Sequence, residues 1–383
     1  FIDNHVSNGA DYQYTFTYIS TFKERLGKVL GEYFYQDFQA KNLSDLKKIG
    51  YESTPYVNIH GDVPDFGFAA FEDSPRYSTG YASLFNVMAT MPETHMLKPY
   101  DKRVDATYQY MLVNLQNLDK DYQKIKQLRL ENLKQYEPGK EYGIRWKIDS
   151  TQYVTMDFKG FEGNYKPSEI SGKPRLYYDR SKPFMKKIKL FNTAVATHFV
   201  TIPKTYVIPQ SEYHVVEQLK RNGIEMQIIS KGEKMKVQSY IIDDFKTVKN
   251  PYEGHFLHFE TKVKAEMISV NLSEGDYLVH TNQPGIKYIM ETLEPEATDS
   301  FFNWNYFDAI LGQKEYFSAY IFEDTASELL KNNEDLRKKF NDKKTLDKKF
   351  AEDGAAQLDW MYKNSDYFEA KTYKRYPIYR ILN

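Results

Sequence analysis

The stretch Leu84-Phe85-Asn86-Val87-Met88-Ala89-Thr90-Met91, closed by Pro92-Glu93-Thr94-His95, is the one from which the fold is read. It is an apolar run of the length of a buried strand, and a long helical pattern follows it. Asp101 reads as an N-cap. Val104, Tyr108, Met111, Leu115, Leu118, Tyr122 and Ile125 recur in alternating steps of four and three, one apolar stripe on a helix from Asp101 to about Tyr136. Upstream, Lys23 to Gly50 is helical by spacing, with Leu26, Val29, Leu30, Phe34 and Phe38 on one face and Gly50 as the stop. A buried strand between two such helices predicts an α/β domain with a mixed sheet.

Outward from this centre the texture changes. Residues 51 to 81 are rich in Gly, Pro, Asp and Tyr and read as an irregular loop of the kind that carries function. Pro138-Gly139 marks a boundary. From Gly143 to about Ile202 short strands alternate with Gly and Pro. Tyr206–Ile208, Ser211–Gly223 and Ile224–Ile229 then read as strand, helix, strand, and more strands run to Thr281. From Pro284 the chain is mainly helical. The expected organisation is an α/β domain over 1–138, a β-rich α+β extension over 139–283 and a helical region over 284–383. The charge-rich Lys331 to Lys349 stretch is a solvated helical face.

Composition bounds the rest. The 383 residues include 33 Tyr, 25 Phe and 3 Trp, so 16% of the chain is aromatic, ample for packed cores and incompatible with disorder. The formal charge of -1 gives no reason to expect a nucleic-acid binder. With 0 Cys, disulfides, thiolate metal sites and a cysteine nucleophile are excluded. No apolar run approaches the ~20 residues of a membrane span. Phosphate-loop, dinucleotide-binding and serine-hydrolase signatures are absent.

Any metal must therefore be held by His and carboxylates. His5 ends a short opening strand, Phe1-Ile2-Asp3-Asn4-His5, and leads into the polar turn Val6-Ser7-Asn8-Gly9-Ala10-Asp11. Glu93 ends the second strand. Strand ends along one edge of an α/β sheet are where such folds place ligands, although both residues also read as ordinary loop polar groups. His214-Val215-Val216-Glu217 puts an imidazole and a carboxylate on one helix face, but the helix is an ordinary amphipathic one. His255 and His258 in a strand-like stretch point to opposite faces.

Several segments, in order, resemble the zinc carboxypeptidases of the carboxypeptidase A-like family, and most closely a bacterial branch with a long C-terminal extension. They are Ile2 to Gln13, Pro75-Arg76-Tyr77-Ser78-Thr79-Gly80-Tyr81, and Glu93-Thr94-His95-Met96-Leu97-Lys98-Pro99-Tyr100. In the extension, Tyr165-Lys166-Pro167-Ser168, Pro174 to Asp179, Leu293 to Ala297 and Gln313 to Phe317 continue the likeness. The resemblance implies a truncated carboxypeptidase-like mixed sheet, with His5 as the strand-end zinc ligand and Glu93 as the general base. Tyr77 or Tyr81 would close over a peptide or protein substrate, and Arg76 would meet a substrate carboxylate or else serve structure. The family's His-x-x-Glu zinc pair belongs upstream of His5. The chain is thus expected to be the C-terminal part of a zinc metallopeptidase, holding one of three protein zinc ligands and inactive alone, with export implied for the whole protein. The contrasting expectation is a non-catalytic protein whose aromatic-rich β region, Gly143 to Thr281, grips peptide or glycan.

Overall fold

A computed structural model describes every residue except Gly61, Ala370, Lys371 and Asn383. The chain is mixed α/β. It opens with β1 (His5–Ser7) and β2 (Phe16–Ser20), followed by α1 (Lys23–Leu26), α2 (Lys28–Tyr33), a π-helical turn (Phe34–Phe38) and α3 (Gln39–Lys48). The break between α1 and α2 is Gly27, at φ +102°. A Cβ there would lie 2.7 Å from the Asn132 amide and 2.8 Å from the Tyr136 hydroxyl, so the backbone needs both the left-handed conformation and the missing side chain. Asn132 fills that gap. Its Nδ2 donates to Leu26 O (2.8 Å) and its Oδ1 accepts from Leu30 N (3.2 Å), tying off groups that the helix break leaves open.

Among its described residues the 51–81 segment contains only β3 (Ser53–Pro55), a 3₁₀ turn, β4 (Phe68–Ala69) and the start of α4 (Ser78–Leu84). Next come β5 (Thr90–His95) and the long α5 (Tyr100–Leu133). Three expectations are corrected here. Of the Leu84–Met91 run only Thr90 and Met91 are strand. Leu84 ends α4, Asn86 turns the chain at φ 59°, and pairing with β2 begins only at Thr90, opposite Ser20. The N-cap of α5 is Pro99, whose fixed φ leads into the helix, so Asp101 lies within the first turn. Most of the stripe of α5 faces outward: Val104, Tyr108, Leu115, Leu118 and Tyr122 are exposed, and only its last member, Ile125, enters a core, with Leu26 and Leu30. The buried face is Ala106, Tyr110, Val113, Asn117, Ile125 and Asn132. It packs through Tyr110 on Phe16 (ring centroids 4.7 Å apart) and through an amide ladder. Asn42 donates to Asn114 (2.8 Å), and Asn117 donates to Asn42 (2.8 Å). Satisfied side-chain amides can be buried as well as apolar groups, and this helix uses them.

β1, β5, β2 and β3 form one sheet in the order β1–β5–β2–β3, parallel at both edges and antiparallel in the middle. Beyond α5, β6 (Glu141–Ile148), β7 (Val154–Pro167), β8 (Pro174–Phe191) and β9 (Ala194–Thr201) follow. β6 pairs with β9, and β7 with β8. The expected boundary at 138 falls between α5 and β6, yet the two sides are joined. β4 adds to the edge of β8 through Phe68↔Leu190, and Phe158, Ile188 and Leu190 share a core with Tyr12, Tyr14 and Phe68.

The largest sheet takes β10 (Thr205–Ile208), β11 (Gln227–Ile228), β12 (Glu233–Thr247), β13 (His258–Leu272), β14 (Tyr277–His280) and the C-terminal β15 (Tyr379–Ile381), in the order β11–β14–β10–β15–β12–β13. α6 (Tyr213–Arg221) and the wholly buried α7 (Ile286–Leu293) pack with it around Tyr206, Leu219, Tyr240, Ile289 and Phe302. α7, which opens the expected helical region, is therefore part of the β-rich core. α8 (Ala319–Asn332), α9 (Glu334–Leu346), α10 (Lys348–Glu352) and α11 (Gly354–Lys363) make a separate cluster on Phe322, Phe340, Phe350 and Met361. Their basic side chains lie at the surface, as the charge pattern of Lys331 to Lys349 suggested.

Candidate functional site

β5 is interior to its sheet, and Glu93 lies within it. Its register partners are His5 on β1 and Thr17 on β2. Side chains opposite one another in neighbouring strands share a face. Phe16 and Thr94 point the other way, with Phe16 against Tyr110 of α5. His5, Glu93 and Thr17 therefore present one face of the sheet, away from α5. Thr17 also donates to the Glu93 carbonyl (2.8 Å), which fixes the strand at that point.

Glu93 as a residue is buried, 8% exposed, and its Oε2 is buried with no hydrogen-bond partner. Burial pushes its pKa up to about 7; the nearby His5 opposes the shift and Asp3 adds to it. Buried carboxylates are ordinarily paired or hydrogen-bonded. One that is not, with a pKa in the neutral range, has the properties of a general base. His5 is half-exposed, and its Nε2 lies 3.0 Å from Asp3 Oδ2. The Asp3 carboxyl is held below its ordinary value by the Ser78 hydroxyl and, more weakly, by His5.

Two tyrosines complete the surroundings, and neither was given a role from the sequence. Tyr12 is buried, with its hydroxyl 3.1 Å from Ser7 Oγ. Burial, with a contribution from Glu93, pushes its phenol up to about 12. Tyr56 is half-buried, its backbone N–H donates to Tyr18 O (2.8 Å), and the Glu93 charge likewise raises its pKa after burial. The only signal for Tyr56 was its place in the irregular 51–81 loop. His95 closes β5 fully buried and neutral: Nε2 bonds Ala10 O (2.9 Å), and Nδ1 accepts from Leu97 N (3.1 Å). Burial lowers its pKa.

The other sequence candidates lie elsewhere. Arg76 wraps Asp299: its Nε and Nη2 reach Oδ1 at 2.8 and 2.7 Å, and its backbone N donates to Oδ2 at 3.1 Å. Its guanidinium is also stacked near Tyr252 and Trp304. Tyr77 caps α4 and meets Phe71 edge-on at 4.8 Å. Tyr81 donates to Asn222 beyond α6, and its ring meets Tyr288 of α7. The structure thus joins Arg76 and Tyr81 to the β-rich part of the chain, while His5 and Glu93 are brought together. His214 stacks on Tyr213 while Glu217 pairs with Lys220 (3.1 Å). His258 bonds Thr247 and Asp308, and His255 lies against Trp304.

A catalytic zinc takes three protein donors. Among the described residues no group of three or more His, Asp or Glu side chains is placed to hold a metal ion. His5 and Glu93 do not make a zinc site by themselves. No helix among the described residues is long and apolar enough to cross a membrane. Compared with models of known families, with curated proteins and with solved structures, the chain matches none.

Proposed function

We propose that the face carrying His5 and Glu93 is part of the catalytic centre of a peptide-bond hydrolase of the zinc carboxypeptidase type. The observation that carries this reading is the in-register pairing of His5 with a buried carboxyl that has a free oxygen and a raised pKa. Glu93 Oε2 takes a proton from a water as that water's oxygen bonds the scissile carbonyl carbon. The same carboxyl then delivers the proton to the nitrogen as the C–N bond breaks. His5 tempers the charge of the base and offers one imidazole donor. The zinc that this type of hydrolase uses needs donors beyond those described, so the 383-residue chain alone is expected to hold zinc weakly and to be inactive.

The test uses the gene's full translation product supplied with zinc, against blocked dipeptides. Glu93→Gln is expected to lower turnover by roughly 10²–10⁴-fold while bound zinc, read by elemental analysis, stays unchanged. Near-normal turnover in that variant contradicts the assignment. No hydrolysis by the wild type, with peptide or glycan bound by the 143–281 region, would favour the non-catalytic reading.

A further inference from the structure

The outer stripe of α5 has the pattern of a seam for a second helix. Val104, Tyr108, Met111, Leu115, Leu118 and Tyr122 follow one another in steps of 4, 3, 4, 3 and 4. That alternation is the a/d repeat by which one helix lies along another. Inside the fold α5 uses its other side, Ala106, Tyr110, Val113 and Asn117. Five of the six seam residues are exposed, Leu115 most of all at 63%, and Met111 is partly buried. Beside the seam, Met111, Leu115 and Leu118 line a hollow of about 250 Å³ together with Phe34, Phe38 and Met88.

Area and symmetry select the occupant. With the exposed Leu112 on their flank, the seam side chains leave roughly 600 Å² of mainly apolar surface in solvent, the scale at which a patch marks an interaction site. Closing two copies on it would remove about 1,200 Å², the lower bound for a stable interface. The steps also read the same in both directions, so a two-fold axis across the middle of the seam maps it onto itself. Two antiparallel copies of α5 set Val104 against Tyr122, Tyr108 against Leu118 and Met111 against Leu115, each pair twice. Every ring then meets an aliphatic side chain, whereas parallel helices would set Tyr108 on Tyr108 and Tyr122 on Tyr122. The flanks mix Asp105 and Asp119 with Lys126, so no field of one sign opposes a second copy.

We propose that the chain forms a two-fold dimer through α5, with the two helices antiparallel and the seam closed between them. Tyr108 of one copy lies on Leu118 of the other, at the rim of the hollow. His5 and Glu93 present the face of their sheet away from α5, so the dimer leaves that face open and does not depend on the hydrolase reading.

Sedimentation equilibrium of the 383-residue chain tests the proposal. Over about 1–100 µM protein, a reversible monomer–dimer equilibrium is expected, with a dissociation constant on the order of micromolar. Leu115→Glu and Met111→Lys each set a charge against an apolar partner in the closed seam, and each is expected to weaken self-association by about tenfold or more. Mixed together, the two variants are expected to form a heterodimer, because the Met111–Leu115 layer brings the introduced charges of opposite sign side by side. Circular dichroism confirms that each variant is folded; if one is not, Leu118→Glu with Tyr108→Lys repeats the test in the next layer. A wild type still monomeric at about 100 µM would give the seam to another partner or another segment of the gene's product and overturn the proposal. Self-association unchanged in the variants, or no heterodimer from two folded variants, would overturn it as well.

Discussion

His5 and Glu93 are direct register partners across the parallel β1–β5 pair, 88 positions apart in sequence and adjacent in the sheet. The pairing puts an imidazole on the same face as a carboxyl that is buried, unpartnered at Oε2 and raised in pKa. Each consequence of that arrangement can be measured.

Burial of an unpartnered carboxyl stores a cost in the folded state, and its pH dependence has a definite sign. The folded pKa of Glu93, about 7, lies above its ordinary value of 4.5. The folded state therefore holds an extra proton between those values. The associated stability is fully present below pH 4.5 and is lost as pH rises through 7. Glu93→Gln escapes this loss. Urea unfolding at pH 8 is expected to show the variant more stable than wild type by about 1–3 kcal/mol, with the gap closing toward pH 4.5. A destabilised variant at pH 8 would show that the carboxylate is satisfied in the fold.

The charge of His5 holds the Glu93 pKa down and that of Asp3 pushes it up. His5→Ala is accordingly expected to raise the midpoint of Glu93, and Asp3→Asn to lower it. Carboxyl-carbon NMR across pH 4 to 9 reads both shifts. Changes of the opposite sign would separate these residues from Glu93.

Arg76 and Asp299 form a nearly buried pair, with side chains 21% and 4% exposed. Removing one partner of such a pair leaves a buried charge. Asp299→Asn is expected to cost about 3 kcal/mol or more by chemical denaturation. If Arg76 instead served a substrate carboxylate, Arg76→Lys in the full product would raise KM and leave stability unchanged.

The two faces of α5 separate burial from hydrophobicity. Leu115, 63% exposed, is expected to tolerate Leu115→Gln within about 0.5 kcal/mol. Tyr110, fully buried on Phe16 and bonded to Gln39 (3.1 Å), is expected to cost about 3–5 kcal/mol as Tyr110→Ala. Equal effects at the two positions would contradict the helix orientation.

The same helix marks where sequence reading stops. Its existence and length were legible from Val104 to Ile125, because many residues share one period. Its orientation was not, because the buried side recruits Asn114, Asn117 and Asn132, whose value lies in partners distant in sequence: Asn42, Leu26 and Leu30. The Lys23 to Gly50 helical run was legible, but its break at Gly27 depends on Asn132 and Tyr136, more than 100 positions away. The strand placed at Leu84–Met91 lay six residues early, since a helix end, a left-handed Asn86 and a turn imitate one apolar run. For the site, His5 and Glu93 stood out through family resemblance and strand position. Tyr12, inside the Ile2 to Gln13 likeness, and Tyr56, inside the 51–81 loop, carried no chemical pattern of their own; the pairing of β5 with β2 and of β2 with β3 gathers them about Glu93.

The titration of Glu93 itself, in the 383-residue chain and assigned against Glu93→Gln, tests the central claim most directly. A carboxyl-carbon midpoint near pH 7 is predicted, as befits a base working at neutral pH. A midpoint at the ordinary carboxylate value of 4.5 would contradict the account.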